Sequence, residues 1–347
     1  MSERKIFFIS LAAIILLVLV FASFSFWMSY AKISSKQLYS NQSAREYNSI
    51  VINNFDFDSL ILGSSMSQGF KCSVFDAAYG GKSIKLTCSG SNFAEVKFFT
   101  DYTVRKKKIK RIMLDAPVTF LPWEQTLKDI PMEYYQDNMK ILFFKKSFSI
   151  NAVVNAFSDL KSKITGKTKY ISRDDLYDWN LGRKCGEKYF AQRLLYDKRT
   201  EFNIDQKFAE KSKATVREFL YPMFNSCPET EFIVFYPPFS MMYYRLLDRR
   251  EYIKLKAEIT DMLLEMKNVR IFDFETAFHI TENFENYRDT SHYSGKINSW
   301  MIGQMAQGNY QLTRDNKQQS FDKLLKRFEE YDFDKEYSRI EAKYGKK

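Results

Sequence analysis

The 347-residue sequence contains only two histidines, and it has neither an internal repeat nor a low-complexity tract. Its four cysteines form no CxxC pair and no cysteine–histidine metal pattern. The sequence therefore gives no indication of a metal site or of a bound cofactor. The missing repeat speaks against a repeat architecture.

One long apolar run lies near the N-terminus. Residues 6–28 carry no charge and no proline, and a bilayer core of about 30 Å needs about 20 helical residues. Aromatic residues crowd the end of the run, where an interfacial belt is expected: Phe24, Phe26, Trp27 and Tyr30. We interpret the run as an uncleaved anchor. The alternative is a cleaved signal peptide, although the apolar region of a signal peptide usually has about 7–15 residues.

The charges beside the anchor are nearly balanced. Arg4 and Lys5 precede it, whereas Lys32 and Lys36 follow it, so the positive-inside rule does not decide its orientation. A short N-terminal tail before a large domain favours a cytoplasmic tail and an exported domain.

The cysteines support export. An even count outside the cytoplasm suggests two disulfides, and four cysteines allow three pairings. We expect the local pairing, Cys72–Cys88 and Cys185–Cys227, and four buried free thiols are the alternative.

The chain is basic, with a formal net charge of +11, and its 45% of hydrophobic residues are enough for a sizeable core. A positive charge can indicate nucleic-acid binding. An exported protein rarely meets nucleic acid, so we expect no such partner. The charge would instead attract anionic lipid headgroups or acidic cell-wall polymers. A generally lysine-rich proteome explains it equally well.

An alternation of strands and helices predicts an α/β fold whose parallel sheet is covered by helices. Short apolar runs predict strands at residues 59–62, 83–88, 111–114, 231–236 and 269–272. Helical spacing predicts helices at residues 93–104, 132–144, 150–164, 208–224 and 241–266, and again after residue 294.

The domain organisation follows from these patterns. We expect a cytoplasmic tip and transmembrane anchor at residues 1–31, a polar stalk at 32–54, an α/β domain at 55–312 with a helical insertion over about 123–226, and a charged amphipathic C-terminal helix and tail at 313–347.

Three short segments carry the candidate chemistry. Residues 62–67 follow the first predicted strand and residues 89–92 follow the second. In open α/β sheets, ligands bind outside the carboxyl ends of the strands. A serine on a turn there can act as a nucleophile if a base reaches it. Near the C-terminus, Asp289 stands three residues before His292 and can orient its imidazole.

The pattern predicts a serine–histidine–aspartate site recognised by role rather than by order. Ser65 is the expected nucleophile, and Ser64 and Ser67 are its rivals. The backbone at Ser65 and Gly90 would bind an oxyanion. The alternative is structural: Ser65 as a turn or cap residue and Gly90 as a turn glycine. We interpret the other histidine, His279, as structural.

With these residues, the sequence resembles the SGNH or GDSL-type esterase superfamily. Gly63-Ser64-Ser65 matches the Gly-Asp-Ser turn of the family, with Ser64 where aspartate is usual, and residues 289–292 match its Asp-x-x-His block. Gly90 fits the glycine of the oxyanion site. The asparagine that usually follows the third strand is absent, and Asp115 takes its place as a candidate oxyanion or substrate-binding residue. The resemblance implies a flavodoxin-like, three-layer domain.

The closer likeness is to membrane-anchored SGNH-like proteins of bacterial envelope-polymer and capsule systems, which include the D-alanyl transfer protein of the teichoic acid pathway. Residues 236–240 and 286–293 carry it, and it covers residues 55–305. It implies an extracytoplasmic esterase or O-acyltransferase on the bacterial cytoplasmic membrane, acting on acyl esters of envelope glycans beside a multi-pass acyltransferase. The alternative is a catalytically inactive accessory protein that binds glycan or recruits a membrane acyltransferase or export complex.

Overall fold

The chain divides into two compact units. A computed structural model describes residues 3–33, 37–39, 43–136, 150–166, 170–196 and 203–345. Residues 1–55 and 128–172 form the first unit, and residues 56–127 and 173–347 form the second. The predicted helix at 132–144 is described only as far as residue 136, where a 3-10 turn covers Met132–Tyr135, and the rest of it lies outside the described residues.

The first unit contains the predicted anchor. Its helices are Glu3–Ile33, Ala44–Asn54 and Ile150–Ile164, and strand β1 (Leu38–Tyr39) pairs antiparallel with strand β5 (Tyr170–Ile171). Segment Glu3–Trp27 is long and apolar enough to cross a membrane, a property that it would share with a signal sequence.

The second unit is built on a mostly parallel sheet, as the sequence predicts. Its strands in chain order are β2 (Ser59–Leu62), β3 (Ser83–Lys85), β4 (Arg111–Asp115), β6 (Glu231–Tyr236), β7 (Val269–Asp273) and β8 (Gln311–Leu312). Their order across the sheet is β3-β2-β4-β6-β7-β8. The first five of these run parallel, and β8 pairs antiparallel with β7.

The strands are apolar because the sheet is buried. All four residues of β2 and the last five of β6 are buried, as expected for parallel strands that are covered on both faces. The helices of this unit are Cys72–Tyr79, Phe93–Val104, Glu187–Tyr196, Gln206–Thr215, Tyr221–Ser226, Arg249–Leu263, Phe278–Thr281, Gly295–Ala306, Lys317–Glu330 and Phe333–Tyr344.

Two predicted helices are interrupted. The helix predicted at 241–266 begins only at Arg249, because the Asp248 side chain caps it by accepting the backbone N–H groups of Arg250 and Glu251. The helix predicted at 208–224 contains a π-helical turn at Val216–Leu220. Apolar periodicity detects neither an internal cap nor a change of helical pitch.

The C-terminal tail forms two helices that pack onto the second unit. Phe321 and Leu324 are buried, and the Arg327 guanidinium forms two hydrogen bonds of 2.6 Å to the Glu282 carboxylate. Asp332 separates the two helices, and its side chain caps the second one.

The predicted disulfides are not formed. Cys72, Cys185 and Cys227 carry free thiols, so neither the Cys72–Cys88 bond nor the Cys185–Cys227 bond exists in the described residues. The Cys72 thiol instead lies 3.5 Å from the Arg173 carbonyl oxygen. Cys185 lies near Asp289, whereas Cys227 lies near Asp101. An even number of cysteines does not show whether any two of them lie close together in the fold.

Candidate active site

The loop that follows β2 carries Ser65 and requires a glycine at its start. Gly63 has a φ of +120°, and a Cβ there would lie 1.9 Å from Oδ1 of Asp115. Only a residue without a side chain allows this approach. The Gly-Ser-Ser turn predicted from the sequence is therefore built against the end of β4.

Asp115 holds this loop in place. Its carboxylate accepts the Ser64 N–H at 2.8 Å, the Ser64 hydroxyl at 2.7 Å and the Ser67 hydroxyl at 2.5 Å. Burial raises the pKa of Asp115, against the opposing effect of these hydrogen bonds. Ser64 and Ser67 are both buried and engaged, which leaves Ser65 as the half-exposed hydroxyl of the loop. The oxyanion role of Asp115 stays a prediction.

Ser65, His292 and Asp289 lie in one hydrogen-bonded row. The Nε2 atom of His292 is 2.9 Å from the Ser65 hydroxyl. The Nδ1 atom is 2.9 and 3.0 Å from the two carboxylate oxygens of Asp289. A nucleophile, a base and a group that orients the base need this arrangement. Burial disfavours the Asp289 carboxylate, but its bonds to His292 and Ser291 lower its pKa to about 2.

The loop that bears Asp289 and His292 is fixed to the end of β6. Tyr287 and Tyr293 form an isolated antiparallel bridge that closes the loop. The Tyr287 hydroxyl donates to the Pro238 carbonyl at 2.7 Å, and the Ser240 N–H and hydroxyl both donate to the Thr290 carbonyl at 2.9 Å. The two segments that carry the closer sequence likeness, residues 236–240 and 286–293, are therefore in direct contact.

The same loop is also tied to the loop of the candidate nucleophile. The Tyr293 hydroxyl and the Asn298 side-chain amide both donate to the Met66 carbonyl, at 3.3 and 3.2 Å. Both donors are buried. The backbone next to Ser65 is thus fixed independently of the Ser65–His292 contact.

Trp179 is a site residue that sequence reasoning missed. Its indole N–H donates to the Ser65 carbonyl at 2.9 Å, and its ring meets His292 edge-on at 5.1 Å between centroids. Trp179 lies in residues 174–196, a stretch rich in aromatic residues and arginine that shows neither strand nor helix periodicity in the sequence. It stands 114 positions after Ser65, so no local pattern could have identified it.

Two lysines hold the Trp179 segment against the nucleophile loop. The Lys71 ammonium lies 2.8 Å from the Asp178 carboxylate. Burial opposes the charge on Lys71, but Asp178 and Asp175 outweigh it and raise its pKa. The fully buried Lys85 amine donates to the carbonyls of Gln68 and Asp174, at 2.9 and 2.7 Å, and burial lowers its pKa to about 8.

Unpartnered backbone donors remain at the predicted oxyanion positions. Within the described residues, the N–H groups of Ser65 and Gly90 have no protein acceptor. Gly90 has a φ of +64°, and a Cβ there would meet open space. These N–H groups are thus available to donate hydrogen bonds to a ligand.

The remaining candidates lie elsewhere. His279 packs its ring edge against Trp300 at 5.3 Å between centroids, in keeping with a structural role. Among the residues that the structure describes, no group of three or more histidine, cysteine or carboxylate side chains is arranged to hold a metal ion.

The fold and the site describe an α/β chain with a serine–histidine–aspartate row at the carboxyl edge of its sheet. No family model and no curated protein matches the sequence. Among solved structures, the chain is similar to a Streptococcus pneumonia protein provisionally described as a platelet activating factor. The identity is 12% and the TM-score 0.33, over 81% of this chain and 93% of the other. A likeness of this degree assigns neither family nor activity.

Proposed function

We propose that the protein is a membrane-anchored, extracytoplasmic SGNH-like serine esterase or O-acyltransferase that acts on acyl esters of cell-envelope glycans. The observation that carries the proposal is the hydrogen-bonded row from Ser65 through His292 to Asp289. Among the described residues, this row supplies a nucleophile, a base and an orienting carboxylate in one place.

The proposed reaction has two halves. The Ser65 hydroxyl attacks the acyl carbonyl and gives its proton to Nε2 of His292, while the N–H groups of Ser65 and Gly90 receive the negative charge on the oxygen. The alcohol then leaves with the proton from His292, and the acyl group stays on Ser65. Water or a glycan hydroxyl next attacks the acyl-serine, with His292 again taking and returning the proton. Water gives hydrolysis, and a hydroxyl gives transfer.

The strand order supports the proposed fold family. Numbered by chain position, the five parallel strands lie in the order 2-1-3-4-5, which is the flavodoxin-like order. Ser65 follows the first of these strands and Gly90 follows the second. The switch point of this order lies between the first and third strands, whose carboxyl ends carry the Ser65 loop and Asp115, and such a point is where open α/β sheets bind their ligands.

An exposed aromatic surface of the second unit supports a glycan as the substrate. Trp123 is 42% exposed and stacks on Phe120 with centroids 4.0 Å apart. The adjoining Gln125 side chain accepts the N–H of Phe93 at 2.8 Å, and the Asn92 side-chain amide donates to the Thr126 carbonyl at 2.9 Å. These bonds join the segment that follows Trp123 to the start of the helix that follows Gly90, and the exposed, flat face of Trp123 offers a surface on which a sugar ring can stack.

The proposed location is supported by the apolar segment Glu3–Trp27. The free thiols remove the disulfide argument for export, so the outward orientation depends on the family resemblance. Protease accessibility of the second unit in intact cells tests this orientation. We extend the proposal to a multi-pass membrane acyltransferase that would supply or receive the acyl group.

The central experiment is covalent labelling of the purified full chain with a fluorophosphonate. Labelling should map to Ser65 and disappear in Ser65→Ala, and it should persist in the matched variant Ser299→Ala, whose hydroxyl donates to the Gly295 carbonyl in a helix. If the wild-type chain is not labelled and a Ser65→Ala strain acylates its envelope polymer normally, the protein is not an enzyme of this kind.

One observation favours a second candidate, an inactive accessory protein of the same fold. Where the family carries an asparagine, this chain has Asp115, whose carboxylate offers no N–H to an oxyanion and is engaged by Ser64 and Ser67. In that role the chain would bind glycan or recruit a membrane acyltransferase or export complex. Glycan binding that persists in Ser65→Ala, without any labelling of the wild type, would favour it.

A further inference from the structure

The helix Ile150–Ile164 packs against the anchor near the end of the apolar segment. The Phe157 ring lies 5.8 Å from the ring of Phe21 and 5.1 Å from that of Phe24, between centroids. The buried residues of segment Glu3–Trp27 lie in the same region: Ala22 is 4% exposed and Ser25 is fully buried. Small residues of this kind allow two helices to approach closely in a bilayer.

These contacts set the depth of the second helix. Phe21 precedes Trp27 by six residues, which is about 9 Å along a helix that rises 1.5 Å per residue. If Glu3–Trp27 crosses a bilayer with Trp27 at the interface, Phe157 lies inside the boundary of the hydrocarbon region. Helices that lie in the plane of a membrane bury their apolar faces to about 5–10 Å.

The helix has more apolar surface than the anchor covers. Ala156 is 3% exposed, whereas four apolar side chains of the same helix are open: Ile150 at 75%, Val154 at 59%, Phe157 at 47% and Ile164 at 77%. At about 100° per residue, residues 150, 154, 157 and 164 fall on one side of the helix. This exposed side continues the bare apolar surface of the anchor, which lipid would cover.

We propose that Ile150–Ile164 is an interfacial membrane helix, with Ile150, Val154 and Phe157 inserted among lipid acyl chains beside the anchor. The inference rests on the proposed membrane location, because it requires Glu3–Trp27 to span a bilayer. It gives the chain a second membrane contact, more than 120 residues beyond the first in sequence. The occupant of the exposed face is therefore lipid, not a second copy of the chain or another protein.

Photo-crosslinking to lipid tests the inference on the full chain. The protein is reconstituted in vesicles of phosphatidylcholine and phosphatidylglycerol that contain a phosphatidylcholine with a diazirine on its acyl chain. After irradiation, lipid adducts are mapped by mass spectrometry. We expect adducts on peptides of residues 6–27 and of residues 150–164, and none on the helix Gln206–Thr215 of the second unit.

Two variants sharpen the test. Val154→Glu should lower the adduct yield on residues 150–164 several-fold and leave the yield on the anchor unchanged. Gln206→Glu places the same charge at an exposed position of the helix Gln206–Thr215 in the second unit and should leave both yields unchanged. Equal circular dichroism and equal thermal unfolding verify that both variants fold.

The outcomes separate this inference from the proposed anchor. Adducts on the anchor without adducts on residues 150–164 overturn the inference and leave the anchor in place, and that is also the result if another protein chain covers the helix. Adducts on neither segment overturn the anchor, and the interfacial helix with it.

Discussion

The Nε2 atom of His292 lies 2.9 Å from the Ser65 hydroxyl, although 227 residues separate the two in sequence. The contact depends on bonds that neither residue makes itself. Tyr293 and Asn298 both donate to the Met66 carbonyl, and thereby tie the histidine segment to the serine loop. The pair is thus positioned by buried backbone contacts, so single changes to its members should alter chemistry more than structure.

Asp289→Asn should lower the rate of fluorophosphonate labelling by about 10³–10⁴-fold, because the new amide favours the histidine tautomer that cannot accept the serine proton. The control Glu285→Gln alters an exposed carboxylate four residues upstream and should label normally. Since the pKa of Asp289 is about 2, its carboxylate is ionised throughout the neutral and mildly acidic range in which labelling is measured. A normal rate in Asp289→Asn would contradict the triad.

Asp115→Asn tests whether this residue serves structure or chemistry. If its carboxylate mainly holds the loop, the amide will face the Ser64 N–H or a serine hydroxyl with a donor, and the free energy of unfolding should fall by roughly 1–3 kcal/mol. The rate of fluorophosphonate labelling should also fall, because the Ser65 loop is then less firmly held. If asparagine instead restores an oxyanion donor, labelling will rise at unchanged stability. Urea unfolding and labelling rates distinguish the two, with the exposed Asp334→Asn as the control.

The sequence predicts well what depends on local patterns. The strands β2, β4, β6 and β7 coincide closely with apolar runs, because buried parallel strands need continuous apolar residues. Ser65 and the 289–292 segment could be singled out because strand ends and a three-residue spacing are visible in a single chain. The structure brings these segments together.

Features that depend on long-range contacts could not be predicted. Trp179 lies in a segment without periodicity and reaches Ser65 through one indole N–H. The cysteine count suggested disulfides, but the predicted partners Cys185 and Cys227 occupy separate surroundings. The break at Asp248 was missed because a capping aspartate resembles any polar residue of an amphipathic helix. Each of these failures concerns a partner distant in sequence or a backbone bond that apolar spacing does not record.

Trp179→Phe should reduce the labelling rate by about 2- to 10-fold, because it removes the indole bond to the Ser65 carbonyl and keeps a ring against His292. Trp179→Ala removes both contacts and should reduce it further. Trp300→Phe is the matched control, since that ring packs against His279. Equal rates in Trp179→Phe and the wild type would show that the indole bond does not position the serine.

Trp123→Ala should raise KM for an O-acetylated chito-oligosaccharide and leave the turnover of p-nitrophenyl acetate unchanged. The Trp123 ring stacks on Phe120, and its exposed face is proposed to support a sugar ring. The small ester has no sugar ring, so its turnover does not depend on this contact. The change should lie in KM rather than in kcat if the ring contributes equally to ground-state and transition-state binding. Loss of both activities would instead indicate a damaged loop, and an unchanged KM would remove the argument for a glycan.

Lys85→Met should change how stability depends on pH. Burial lowers the pKa of Lys85 in the folded chain to about 8, from 10.5 in its absence. Between these values the unfolded chain binds more protons, so the free energy of unfolding of the wild type should rise with pH relative to the variant. The difference should approach about 3 kcal/mol across the window and stay constant below pH 8. Urea unfolding of both proteins between pH 7.5 and 10.5 measures it. Parallel curves would mean that Lys85 keeps its proton in the folded state, held by the carbonyls of Gln68 and Asp174.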